Sequence, residues 1–173
     1  SKLSNRATSG AKAAGIWQFI PSTAKLHNLE VDKYVDERRD PLQATHAAID
    51  YLERLKDRFG KWYLAILAYN AGEGKLSKAI KLAGSDDIMV LLNPKKKYLP
   101  LESRDYLRKI IMMAYVANDS DFLISKDSSM LNSATYIGIE KVDIPGGISL
   151  RDVASTIGFS IEKLSQYNTH LRY

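Results

Sequence analysis

The stretch Trp62-Tyr63-Leu64-Ala65-Ile66-Leu67-Ala68-Tyr69-Asn70 is apolar around almost its whole circumference when wound at helical spacing. A helix of that composition has no wide face to offer water and is stable only where other helices surround it, so the chain is constrained to a mainly α fold with this element at its centre. Neighbouring segments can supply the surroundings. Upstream, Leu42, Ala47, Ala48, Tyr51, Leu52, Leu55 and Phe59 form an apolar stripe behind Asp40-Pro41, with Gly60 beyond the end. An Asp can cap the first turn, a Pro fits its first position, and the spacing predicts an amphipathic helix. Downstream, Ala71-Gly72-Glu73-Gly74 ends the apolar helix, where a glycine can adopt a left-handed conformation. A short helix is expected over 75–82. Pro100 then precedes a strong helix over 102–118 carrying Tyr106, Leu107, Ile110, Ile111, Ala114 and Tyr115, and residues 22–27 add a turn or two.

Composition shifts at Asp119-Ser120-Asp121 and Ser125-Lys126-Asp127-Ser128-Ser129, which reads as a linker over 119–135. Beyond it, residues 136–144 alternate at roughly period two and predict a strand, turned by Pro145-Gly146-Gly147. Ser149-Leu150-Arg151-Asp152 starts a helix that Gly158 stops, and Ser160 caps another through Tyr167. The expected organisation is therefore a helical domain over 1–118 and a small α+β unit over 136–173. The strand, helix, helix order resembles a LysM carbohydrate-binding unit whose closing strand would lie beyond Tyr173.

The 173 residues suffice for one well-buried domain and a small second unit, and 45% hydrophobic with 26% charged residues is a globular composition. No apolar run approaches the roughly 18 to 20 residues of a membrane span, and the opening residues do not form a signal peptide. With no Cys, and with His27, His46 and His170 scattered, the chain offers neither thiolate chemistry nor metal-ligand spacing, so no metal or cofactor is expected. Phosphate-binding glycine loops and the Gly-x-Ser-x-Gly elbow are missing too, which leaves carboxylate chemistry as the available option. The net charge of +5 favours an anionic partner. Nucleic acid is not expected, because Lys95-Lys96-Lys97 comes with no recognition helix or stacking platform.

Three places carry candidate binding residues. Gln18 sits in the aromatic run Gly15-Ile16-Trp17-Gln18-Phe19-Ile20-Pro21, where its amide could pair sugar hydroxyls or acetamides or simply bond loop backbone. Tyr69 and Asn70 end the buried helix beside glycines that permit close approach of a ligand, or else serve as a satisfied hydroxyl and a helix cap. Glu102 and Tyr106 lie one turn apart on one helix face; alone, Glu102 is a first-turn acid favoured by the helix dipole.

Taken in order, Ala7-Thr8-Ser9-Gly10-Ala11, 14–24, Asp36-Glu37-Arg38-Arg39-Asp40-Pro41, Ala68-Tyr69-Asn70-Ala71-Gly72-Glu73-Gly74 and Leu99-Pro100-Leu101-Glu102-Ser103 resemble the lytic transglycosylases that carry a soluble transglycosylase domain, most closely the membrane-bound D type. The resemblance covers residues 1–118. It implies a goose-lysozyme-like helical fold, a groove for peptidoglycan glycan strands, and cleavage of the MurNAc–GlcNAc β-1,4 bond with closure of a 1,6-anhydro ring, without metal or cofactor. It further implies that Gln18, Tyr69 and Asn70 line sugar subsites with Asn70 at the acetamide, that Ser9 and Tyr106 support the catalytic carboxylate, and that Glu102 binds substrate or braces the groove. A periplasmic location follows from the family, with any outer-membrane lipid anchor upstream.

One departure stands out. The family's catalytic Glu is followed directly by Ser, and counting back from Ser9-Gly10-Ala11 makes Ser1 that serine, so the acid is expected immediately before residue 1. The chain is thus expected to be truncated or proteolysed ahead of its acid, the alternative being disordered residues left out ahead of Ser1, and to be inactive as it stands, with an active parent. The competing readings are a lysozyme-type muramidase, in which water replaces O6, and a non-catalytic peptidoglycan-binding module.

Overall fold

The computed structural model describes residues 4–119 and 140–172. Their helices are α1 (Pro21–Leu26), α2 (Pro41–Phe59), α3 (Trp62–Ala71), α4 (Glu73–Ala83), α5 (Ile88–Leu91), α6 (Leu101–Ala117), α7 (Leu150–Thr156) and α8 (Ile161–Tyr167), with a 3-10 turn at Glu37–Arg39. The chain is mainly helical, as its periodicity requires. It divides into two compact units, Ser1–Tyr51 with Lys141–Tyr173, and Leu52–Glu140, so that α2 contributes to each.

In the first unit, Asp40 caps α2 as expected: Oδ1 accepts from the N–H groups of Leu42 at 2.8 Å and Gln43 at 2.9 Å. Asp40→Ala should cost about 1 kcal/mol, the usual value of such a cap, read as a lower unfolding midpoint in urea. Phe19, His27 and Tyr51 form an aromatic cluster, with the His27 and Tyr51 ring centres 4.5 Å apart. At the far end of the sequence α7 and α8 pack on each other. Each begins with a serine cap, Ser149 accepting from Asp152 N–H and Ser160 from Lys163 N–H, both at 3.1 Å.

The tail joins the first unit through specific bonds. Leu171 bridges Val35, Asp36 N–H donates to the His170 carbonyl at 2.8 Å, and Thr169 Oγ1 donates to the Arg39 carbonyl at 2.6 Å.

The expected α+β character of the C-terminal part is not found among the described residues. Residues 140–145 are irregular and exposed, and the strand expected over 136–144 has no ladder in its described part; 136–139 and most of the linker lie outside the described residues. Alternation of side chains cannot make a strand without a neighbour to take its backbone hydrogen bonds.

In the second unit α3 is the central element. Leu64, Ala65, Leu67 and Ala68 are buried, and α3 packs against both α4 and α6. Gly72 stops it at φ +91° and ψ 142°, a positive-φ conformation outside the left-handed helical region and one that a side chain disfavours. The four-residue α5 was not legible from periodicity. Asp87 caps it, accepting from Met89 and Val90 N–H.

Candidate glycan-binding site

Ser9 and Gln18 belong to the first unit, on a loop that folds back on itself. Thr8 bridges Ala14, and Ala14 bridges Phe19. Ser9 N–H donates to the Ala13 carbonyl at 2.9 Å while its Oγ accepts from Ala13 N–H at 3.1 Å, so this serine holds the turn. Gln18 is half-buried at φ +53°, and its Nε2 donates to the Gly15 carbonyl at 2.7 Å. Of the two roles open to this amide, backbone bonding is the one in place, and it sets the side chain's direction. Trp17 beside it donates from Nε1 to Thr45 Oγ1 at 2.8 Å.

What holds this loop is a group that sequence reasoning quoted only as part of a motif. Asp36 is fully buried and receives Arg38 through two bonds, Nε to Oδ1 at 2.7 Å and Nη2 to Oδ2 at 2.9 Å. Arg172 Nη2 adds a third at 2.7 Å, and Arg39 Nε a longer one at 3.3 Å. With its carboxylate end satisfied, Arg38 spends Nη1 on the loop, donating to the carbonyls of Lys12 at 2.7 Å and Phe19 at 3.1 Å. Arg39 similarly reaches the Asn5 carbonyl and Thr8 Oγ1. Burial works to raise the Asp36 carboxyl, but the guanidinium bonds of Arg38 and Arg172 outweigh it and hold the group below its ordinary value.

Gly15 completes the clamp. Its φ is +77°, and a Cβ there would lie 1.7 Å from the Arg38 carbonyl oxygen. Only the absence of a side chain lets the loop lie directly on the Arg38 backbone.

The other four candidates belong to the second unit. Tyr69 and Asn70 occupy the last turn of α3, both half-buried, and Glu102 and Tyr106 occupy the first turns of α6, which packs on α3. Asn70's side chain has no hydrogen-bond partner among the described residues, so its amide is available to a ligand. Glu102 is exposed and takes part in no ion pair among the described residues. Burial pushes the Tyr106 phenol above its ordinary value, so it keeps its proton and remains a hydrogen-bond donor through neutral pH. The corner after Asn70 is braced by Glu73, whose carboxylate receives Arg54 at 3.0 Å and also Arg58.

Comparison with known proteins gives the family. The family model described as "Transglycosylase SLT domain" matches residues 1–91. The membrane-bound lytic murein transglycosylase D of Escherichia coli (strain K12) is 33% identical over 99% of this chain and 37% of its own length, and the protein of the same name from Escherichia coli O6:H1 matches equally. The chain thus spans well under half the length of these curated relatives. The matched residues contain the clamped loop, the Asp36–Arg38 pair and the end of α3 with Tyr69 and Asn70. The chain belongs to the transglycosylase SLT domain family.

Proposed function

We propose that the chain is the glycan-binding part of a peptidoglycan lytic transglycosylase, which breaks the MurNAc–GlcNAc β-1,4 bond and leaves a 1,6-anhydro-MurNAc end. The observation that carries the reading is the unpartnered amide of half-buried Asn70, at the end of a helix within the matched family domain. A half-buried amide that bonds no protein group offers both a donor and an acceptor to a sugar acetamide.

In this mechanism one carboxylic acid protonates the glycosidic oxygen, the muramic acetamide supports the cationic carbon, and O6 of the same sugar closes the ring as its proton returns to the carboxylate. The roles are assigned unit by unit: in the second, Asn70 is the acetamide contact, Tyr69 a sugar contact and Tyr106 a supporting hydroxyl; in the first, Gln18 is a sugar contact and Ser9 a supporting hydroxyl. Glu102 braces the groove or binds a sugar hydroxyl. The relatives are named membrane-bound, and no helix among the described residues is long and apolar enough to cross a membrane. The relatives' name supports a periplasmic place for the chain, at the cell wall.

Co-sedimentation with purified sacculi tests the binding half. The chain should pellet with them, and Asn70→Ala should bind about tenfold more weakly, as loss of one ligand hydrogen bond predicts, while its stability changes by less than about 0.5 kcal/mol. Equal binding by the variant, or none by either protein, would remove Asn70 from the site.

A further inference from the structure

The second unit contains a cavity of about 600 Å³ lined by Lys75, Lys78, Lys97 and Arg104, with Tyr98 and the apolar surfaces of Ala79, Leu82, Leu99, Pro100 and Leu101. No acidic residue is in its lining among the described residues. Arg104 is only 5% exposed, yet its Nε has no hydrogen-bond partner and its guanidinium joins no ion pair among the described residues. A guanidinium cannot shed its charge to escape burial, so a buried one lacking a carboxylate is strongly unfavourable unless an anion completes it. Lys97, a second cation of the lining, sits on a turn that Asn93 fixes. Asn93 Oδ1 accepts from Lys95 and Lys96 N–H, Lys97 N–H returns to the Asn93 carbonyl, and Lys97 takes φ +53°. Such a conformation in a residue that is not glycine marks a backbone held against its preference.

We propose that this cavity binds the terminal carboxylate of a short peptide, of the kind that branches from peptidoglycan strands. The carboxylate rests on the cavity itself; the choice of peptide rests on the glycan reading above. Arg104 matches a carboxylate with two parallel N–H donors, and the lysines add charge at the mouth. The apolar wall decides between anions. A phosphate is hydrated on every side and gains nothing from Leu82, Leu99 and Pro100, whereas a peptide terminus with a methyl side chain covers them. Arg104 lies between Glu102 and Tyr106 in the sequence of α6, so peptide and glycan recognition share one helix.

Calorimetric titration of the full chain with a glycan-free stem peptide ending in D-Ala-D-Ala tests this, alongside its C-terminal carboxamide, a peptide-free N-acetylglucosamine oligomer and inorganic phosphate. The acid peptide should bind at least about tenfold more tightly than the carboxamide, as a charge-assisted bidentate pair predicts, and phosphate should not compete at equal concentration. Arg104→Met should abolish that preference without lowering the unfolding midpoint, because it removes a buried charge that lacks a protein partner. Lys78→Gln, on the exposed face of α4, should weaken peptide binding and reduce its dependence on salt. Equal binding of acid and amide peptides, or an unchanged Arg104→Met, would overturn the site; effective competition by phosphate would overturn the choice of a peptide carboxylate. Since the probe contains no sugar, its failure leaves the oligomer result standing, and failure of the oligomer alone counts against the glycan reading.

Discussion

Asp36→Ala is expected to lower the free energy of unfolding by about 3–5 kcal/mol, the usual result of deleting one partner of a buried ion pair. The loss is large because Arg38, 5% exposed, would stay buried without its carboxylate, and its bonds to the Lys12 and Phe19 carbonyls would lose their anchor. Arg172 and Arg39 would each lose a bond to this carboxylate, removing one of the ties that hold the tail. Chemical denaturation checks the magnitude, and faster amide exchange over residues 7–19 checks the structural route. The same group sets an acid limit. Its folded carboxyl titrates below the ordinary value of 3.8, so its stabilisation is complete above that value and is lost as pH falls through the lower folded value. Asp36→Asn should therefore be less stable than the parent at neutral pH and should flatten the acid end of the stability profile. An unchanged profile below pH 4 would show that Asp36 does not carry this coupling.

Gly15→Ala should cost more than about 3 kcal/mol, beyond the typical range for a point substitution. Two effects add. The positive φ costs a residue with Cβ about 1–2 kcal/mol, and a methyl 1.7 Å from the Arg38 carbonyl oxygen forces two backbones apart. Because the Gln18 amide is bonded to the Gly15 carbonyl, displacing the loop also misdirects Gln18. Sacculus binding should then fall more than the loss of stability alone explains. Measuring binding well below the variant's unfolding midpoint separates the two, and wild-type binding there would show that the loop does not hold the site.

The helices were legible because their stripes are long. Asp40, Pro41 and Gly60 mark the ends of α2, and the uniform apolarity of α3 identifies it as the central element of its unit. At four residues α5 is too short for a period to show. The strand expected over 136–144 failed for a different reason, since period two describes a chain's own side chains and says nothing of a partner strand. The candidate side chains were named from motifs, whereas their supports were not. Asp36 and Arg172 are 136 residues apart, and Gly15 is fixed by a carbonyl of Arg38 that its own neighbourhood does not reveal. Such distant pairings leave no local signature. Arg104 was hidden similarly: its place in the sequence suggests an exposed helical arginine, and only packing buries it.

The most direct test of the account is mass spectrometry of the products released from purified sacculi, comparing this chain with a version to which a Glu is added immediately ahead of Ser1. Release of 1,6-anhydro muropeptides by the Glu-bearing protein alone is the predicted result, with Asn70→Ala reducing it. Reducing-end muropeptides would contradict the account in favour of a muramidase, and binding without any product from either protein would make the domain a peptidoglycan-binding module.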